Sequence, residues 1–272
     1  MTAIERWHEQ LEGWAIPPQI LDAAPESPYG FPAEVFRARG ERSMEPTEPT
    51  ATTVRALEHV PRGGRVLDVG CGGGATSLPL AGRAGVLVGV DAQEDMLAAF
   101  LENARAAGTQ AEAVNGRWPD VADAIAPVDV AVAGHVLYNV ADLQPFVRAI
   151  ADVARRRVVF ELTERHPLHW LNDLWLRFHG LDRPSGPVSQ DAVDAVGELG
   201  FDPRIERWEA PPRPGGFARR ADAVALVRRR LCLPPSRGEE IAEALGPRLA
   251  EREGLWSVGP PGQALATIWF DR

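Results

Sequence analysis

Five short Val- and Ala-rich runs constrain the fold of this chain more than any other feature. They read "RVLDV" (65–69), "VLVGV" (86–90), "AEAV" (111–114), "VDVAVA" (128–133) and "RVVFEL" (157–162), each bounded by turn residues. Near-continuous apolar runs of this length suit strands buried on both faces, as in a parallel sheet. The segments between them, "SLPLAGRA", "QEDMLAAFLENARAAG", "DVADAI" and "ADLQPFVRAIADVA", place apolar residues at helical spacing. Strand–helix alternation of this kind predicts a doubly wound α/β sheet.

The ends of the chain follow other rhythms. Ile4, Trp7, Leu11 and Trp14 share one face of a helix over 2–14, and proline punctuation in 16–36 predicts short helices joined by turns. A further helix is expected from Thr50 to His59, ahead of Pro61. Residues 1–49 therefore read as a helical N-terminal cap on a domain of residues 50–272. After the fifth run, "TERHPLHWLNDLWLRFHGLDRPSGP" is rich in aromatics, and "SQDAVDAVGELG" is a helix closed by Gly200. "DPRIERWEA" reads as a strand, "RPGGFARRADAVALVRRRL" and "RGEEIAEALGPRLAERE" as two helices, and "QALATIWFDR" as a last strand antiparallel to 204–209. The expected product is a seven-stranded, mostly parallel, Rossmann-like sheet ending in an antiparallel hairpin. Lid insertions fall at about 164–200 and 211–260.

Composition narrows the function. The formal net charge of -9 over 272 residues argues against a nucleic-acid partner. Every basic side chain other than histidine is Arg, and without Lys neither Schiff-base nor phosphate-loop lysine chemistry is available. Cys71 and Cys232 are the only cysteines, and Cys71 sits inside a glycine turn, so a reducing compartment fits. No run approaches the roughly 20 apolar residues of a membrane span, and the N-terminus lacks a leader-like apolar core. The expectation is a soluble cytoplasmic protein with no membrane partner.

The turn itself, "VLDVGCGGGATS" (66–77), brings backbone N–H groups close to a ligand. Gly70-x-Gly72-x-x-Ala75 is compatible with a dinucleotide fingerprint, with Asp91 on an adenosine ribose. A pyrophosphate has no use for Asp68 at the strand end, whereas a cationic ligand does.

"VLDVGCGGG" followed by "VLVGVDAQEDML" resembles motifs I and II of the class I S-adenosylmethionine-dependent methyltransferases over about residues 50–163, and the 204–209 and 263–270 hairpin is similar to that superfamily's sheet ending. The resemblance implies S-adenosyl-L-methionine as cofactor and S-adenosyl-L-homocysteine as product. It implies that Asp68 and the close main chain of Gly70, Gly72 and Gly74 meet the methionine end. Asp91 would accept from both ribose hydroxyls, with Ala92 and Met96 packed on the nucleoside. Asp91 also reads as an N-cap for the helix that follows. At the third motif many relatives carry an acidic residue, but "VNGRW" places Arg117 there. Adenine recognition then falls to the backbone of Arg117 and Trp118, with Trp118 stacked on the ring or serving as a core anchor. Gly134 and His135, at the end of strand four, fall where the superfamily lines the cofactor.

Methyl transfer is an in-line displacement at an activated carbon, so positioning supplies most of the catalysis and a base is needed only for a protonated acceptor. Among six histidines, His135 is the leading candidate for that base. Tyr138 and Asn139 lie at the carboxyl end of strand four, and Tyr29, Phe31, His166, His169 and Trp170 sit on segments expected to close over an acceptor. His166-x-x-His169 lacks a third ligand at recognisable spacing, so no metal site is expected. The Asn- or Asp-Pro-Pro-aromatic signature of nucleobase and glutamine methylation is absent. These readings converge on methylation of a small-molecule acceptor. RNA or protein methylation, or binding of S-adenosylmethionine without catalysis, are the alternatives, with an NAD-linked oxidoreductase behind them.

Overall fold

The structure, a computed structural model, describes residues 1–29, 48–210, 216–260 and 262–272. The five apolar runs are strands β1 (Gly64–Val69), β2 (Ala84–Asp91), β3 (Gln110–Asn115), β4 (Val128–Gly134) and β5 (Ala154–Thr163). With β6 (Arg204–Ala210) and β9 (Gln263–Asp271) they form one seven-stranded sheet, ordered β3-β2-β1-β4-β5-β9-β6. β9 pairs antiparallel with both β5 and β6, while every other pairing is parallel. The expected pairing of the last strand with 204–209 is therefore present. The order of connection reverses between β1 and β4, and in open α/β sheets that reversal is where ligands bind.

Side-chain alternation splits the core into two layers. Leu67, Ala131, Val158 and Phe160 face helices α1 (Ala3–Glu12), α5 (Leu143–Val153) and α7 (Ser189–Glu198), burying Trp7, Phe146 and Ile150. Val66, Val130, Val132 and Val159 face helices α3 (Ala51–Leu57) and α4 (Glu94–Ala106), burying Ala56 and Phe100. The N-terminal helix opens on a capping box between Thr2 and Glu5. It docks through Trp7 Nε1, which donates to the Val140 carbonyl at 2.8 Å, and through Arg6, paired with Asp191 at 3.2 Å. A short helix α2 (Pro18–Asp22) follows.

A third apolar cluster lies outside the sheet. Helices α6 (Asn172–His179), α8 (Arg220–Arg230) and α9 (Gly238–Leu245) enclose Leu174, Trp175, Val227, Leu231, Ile241 and Leu245.

Three expected helices differ. "SLPLAGRA" supplies one 3₁₀ turn, Leu78–Leu80, around Pro79, and "DVADAI" likewise gives only Ala122–Ala124. The helix expected to continue through residue 253 stops at Leu245, where Gly246 takes φ +51° ahead of Pro247. Its remainder becomes β7 (Leu249–Arg252), paired with β8 (Leu255–Val258) in a separate hairpin. Among the described residues no helix is long and apolar enough to cross a membrane.

Candidate active site

At the carboxyl ends of β1, β2, β4 and β5 lies a cleft of about 1200 Å³. Its floor is the turn after β1. Gly70 adopts φ +68°, and a Cβ there would stand 2.5 Å from Val136 Cγ2. Glycine is therefore required both for backbone conformation and for the approach of the β4 loop. Gly70 and Cys71 donate their N–H groups to the Val90 carbonyl at 2.8 and 3.0 Å, and Asn103 Nδ2 holds the Gly73 carbonyl at 2.9 Å. Phe100 packs where a Cβ on Gly74 would stand, so Gly74 serves the fit of the helix against the turn and does not line the cleft.

Asp91 closes the other side. Its Oδ2 accepts from Gly72 N–H and its Oδ1 from Gln93 N–H, both at 3.0 Å. Gln93, two residues later, is the N-cap residue of α4, so Asp91 braces the approach to the helix without capping it. Each carboxylate oxygen keeps a second lone pair, which suits a pair of vicinal hydroxyls. Ala92, Met96, Arg117 and Trp118 also border the cleft. Trp118 Nε1 donates to the Phe146 carbonyl at 3.1 Å, as a core anchor would.

Asp68 sits behind the turn instead of on the cleft wall. It is 1% exposed, and its Oδ2 accepts from Ser77 Oγ at 2.6 Å. Oδ1 is buried with no hydrogen-bond partner among the described residues. Burial pushes its carboxyl up to about 7, and the nearby charges of Asp91 and Glu161 act in the same direction. The Cys71 thiol is likewise driven well above its usual range by burial and then by Asp68 and Asp91. Bare main chain, a hydroxyl-accepting carboxylate and an uncompensated buried carboxyl below form a donor and acceptor set matched to a cationic nucleoside.

Gly134 and His135 border the cleft from β4. His135 has φ +59°, donates its backbone N–H to the Glu161 carbonyl at 2.8 Å, and places Nε2 3.2 Å from Glu161 Oε1. Glu161 is absent from the expected site residues, although it is the one acidic residue in the run "RVVFEL". Thr52, Thr76, Trp208 and Leu265 also border the cleft and were not anticipated.

The expected acceptor residues are distributed differently. Asn139 borders the cleft. The Tyr138 hydroxyl lies 2.6 Å from Thr163 Oγ1, and burial raises its pKa. His166 is buried, stacked on Trp14 with centroids 3.7 Å apart, and burial, then Arg183, lowers its pKa to about 3. His169 lies beside Arg165, which together with burial lowers its pKa. Trp170 joins the third apolar cluster, and Tyr29 is exposed. Phe31 lies outside the described residues. Residues 164–200 thus fasten the N-terminal helix and the third cluster to the sheet. Among the described residues, neither they nor 216–260 border the cleft; from the first 50 residues only Glu48, Pro49 and Thr50 do. No three His, Cys, Asp or Glu side chains among the described residues gather as a metal site.

Comparison with known proteins adds similarities over part of the chain. Residues 66–157 match the model of a methyltransferase domain. A ubiquinone biosynthesis O-methyltransferase of Azorhizobium caulinodans is 36% identical over 92 residues, 34% of this chain and 36% of that protein. One from Rhizobium rhizogenes is 26% identical over 164 residues, 53% of this chain and 66% of its own length. The matches thus span about a third to two thirds of these curated relatives. The YcgJ protein of Bacillus subtilis shares the fold with TM-score 0.52 at 16% identity, covering 81% of this chain and 97% of that one.

Proposed function

We propose that the chain is a class I S-adenosylmethionine-dependent methyltransferase, a reading supported by the methyltransferase-domain match over residues 66–157, and that it binds S-adenosyl-L-methionine in the cleft and transfers its methyl group to a small organic molecule. One observation carries this reading: the glycine turn and the Asp91 carboxylate face a single cleft at the β1/β4 reversal. When bound, the sulfonium supplies an activated methyl carbon. The protein then contributes position and charge. Gly70 and Gly72 let the ligand lie against main chain, Asp91 receives the ribose hydroxyls, and Ala92, Met96 and Trp118 enclose the base. Asp68 contributes from behind the turn as a buried carboxylate balancing the ligand's positive charge.

The acceptor reading rests on size and sign. A volume of about 1200 Å³ exceeds the ~300–1,000 Å³ typical of a single ligand, which leaves room for a small second molecule beside the cofactor. Three carboxylates border the cleft among the described residues, Glu48, Asp91 and Glu161, against one arginine, Arg117. A polyanion such as RNA is disfavoured there, and a neutral acceptor is favoured. The named activity of the curated relatives, O-methylation, supports an oxygen acceptor of modest size.

The test is turnover. Methyl-labelled cofactor is incubated with the chain and, separately, catechol, total tRNA and a protein extract. Label in a low-mass catechol product is the expected result. Label confined to tRNA or protein, or in none of the three pools, contradicts it.

A further inference from the structure

We propose that Glu161 is a positioning residue for His135. A one-way chain of hydrogen bonds fixes the imidazole with its proton on Nε2, so that Nδ1 accepts the proton of a hydroxyl acceptor. The proposal rests on the transferase reading above and specifies the acceptor atom as oxygen.

The chain begins at Trp208 on β6, whose Nε1 donates to Thr267 Oγ1 on β9 at 3.0 Å. An indole nitrogen only donates, so the direction at this end is settled. Thr267 Oγ1 lies 2.7 Å from Thr52 Oγ1 on α3, and Thr52 donates onward to Glu161 Oε2 at 2.6 Å. The single Thr52 proton is spent on the carboxylate, hence Thr267 is the donor between the two hydroxyls. A carboxylate only accepts, so the other end has the same direction. Glu161 Oε1 then faces His135 Nε2 at 3.2 Å and requires the proton on that nitrogen. In a neutral imidazole the second nitrogen carries the lone pair, and here that is Nδ1.

Backbone geometry supports the same arrangement. Gly134 stands opposite Glu161 in the β4–β5 register, and His135 follows it in the left-handed region at φ +59°. A side chain other than glycine is held there only when its surroundings dictate it, and such residues cluster where position matters to function. The main-chain bond from His135 to the Glu161 carbonyl is a second tie between the same two residues.

This geometry favours oxygen. An amine attacks through its own lone pair, whereas a neutral hydroxyl gains from losing its proton during attack. The acceptor O–H gives that proton to Nδ1 while its oxygen bonds to the methyl carbon. The carbon–sulfur bond breaks with its electron pair left on sulfur, and the proton then passes from Nδ1 to water. Glu161 stabilises the imidazolium as it forms, the role of the carboxylate in serine hydrolase triads.

The primary test is ¹⁵N-histidine NMR on the full chain without ligand. His135→Asn identifies the resonance, since Asn tolerates positive φ. Wild type is expected to show the Nε2-protonated tautomer; in Glu161→Gln and in Thr267→Val that preference is lost or reversed. Retained folding is checked by circular dichroism, and if one variant does not fold the other carries the comparison. A wild-type Nδ1-protonated tautomer, or a preference unchanged in both variants, overturns the proposal. With catechol as the hydroxyl probe, Glu161→Gln is expected to lower kcat about 10–100-fold with KM for the cofactor unchanged. Labelling of benzylamine in preference to catechol overturns the oxygen assignment. Binding of S-adenosylhomocysteine to wild type, measured alongside, separates failure of this proposal from failure of the transferase reading.

Discussion

The backbone N–H of Gly72 donates to Asp91 Oδ2 at 3.0 Å, tying the glycine turn after β1 to the tip of β2. Nineteen residues apart in sequence, the two halves of the proposed cofactor cradle thus form one unit. Asp91→Ala removes this brace, the bond to Gln93 N–H and the two ribose contacts proposed for it. Charge-assisted hydrogen bonds contribute roughly 1.5–3 kcal/mol each, so affinity for S-adenosylhomocysteine should fall about 100-fold or more. Calorimetry checks this, with a thermal melt showing that the variant folds.

Gly70 and Gly63 separate two reasons for glycine. Both have positive φ, +68° and +72°, but a Cβ on Gly70 meets Val136 Cγ2 at 2.5 Å while one on Gly63 meets nothing within 4 Å. Gly63→Ala should cost about 1 kcal/mol of stability, the conformational cost alone. Gly70→Ala should cost roughly 2–4 kcal/mol, because the β4 loop must also shift. Urea unfolding of the two variants measures the difference, and Val136→Ala in the Gly70→Ala background should recover part of it.

Two buried groups should pull stability in opposite directions with pH. Asp68 rises from 3.8 to about 7 on folding, so its contribution is most favourable below pH 3.8 and is lost as pH rises through 7. His166 falls from 6.5 to about 3, so its contribution is full above pH 6.5 and is lost as pH falls toward 3. Each effect is on the order of 2–4 kcal/mol. Wild-type stability should therefore change little between pH 4 and 6.5. Asp68→Asn should gain stability across that range as pH rises, and His166→Phe should lose it, both read from urea midpoints.

Much of this fold was legible because local signals agreed. Valine-rich runs of strand length, each ending in turn residues, located β1 to β5, and the glycines and the strand ending in Asp91 border one cleft. What was not legible depended on contacts distant in sequence. "RLAERE" has helical spacing, and only the stop at Gly246–Pro247 and the partner strand Leu255–Val258 convert it to a hairpin. His166 and Trp170 have the composition of a pocket wall, yet Trp14 and the third apolar cluster claim them. Glu161 was hidden as the one carboxylate of β5, its partners visible only once β4 places His135 beside it and α3 supplies Thr52.

The most direct measurement is a calorimetric titration of ligand-stripped protein with S-adenosylhomocysteine, with NAD⁺ as comparator. The account predicts saturable one-to-one binding of the first, weakened in Asp91→Ala, and no heat from the second. Absence of binding by S-adenosylhomocysteine, or one-to-one binding of NAD⁺ in its place, contradicts it.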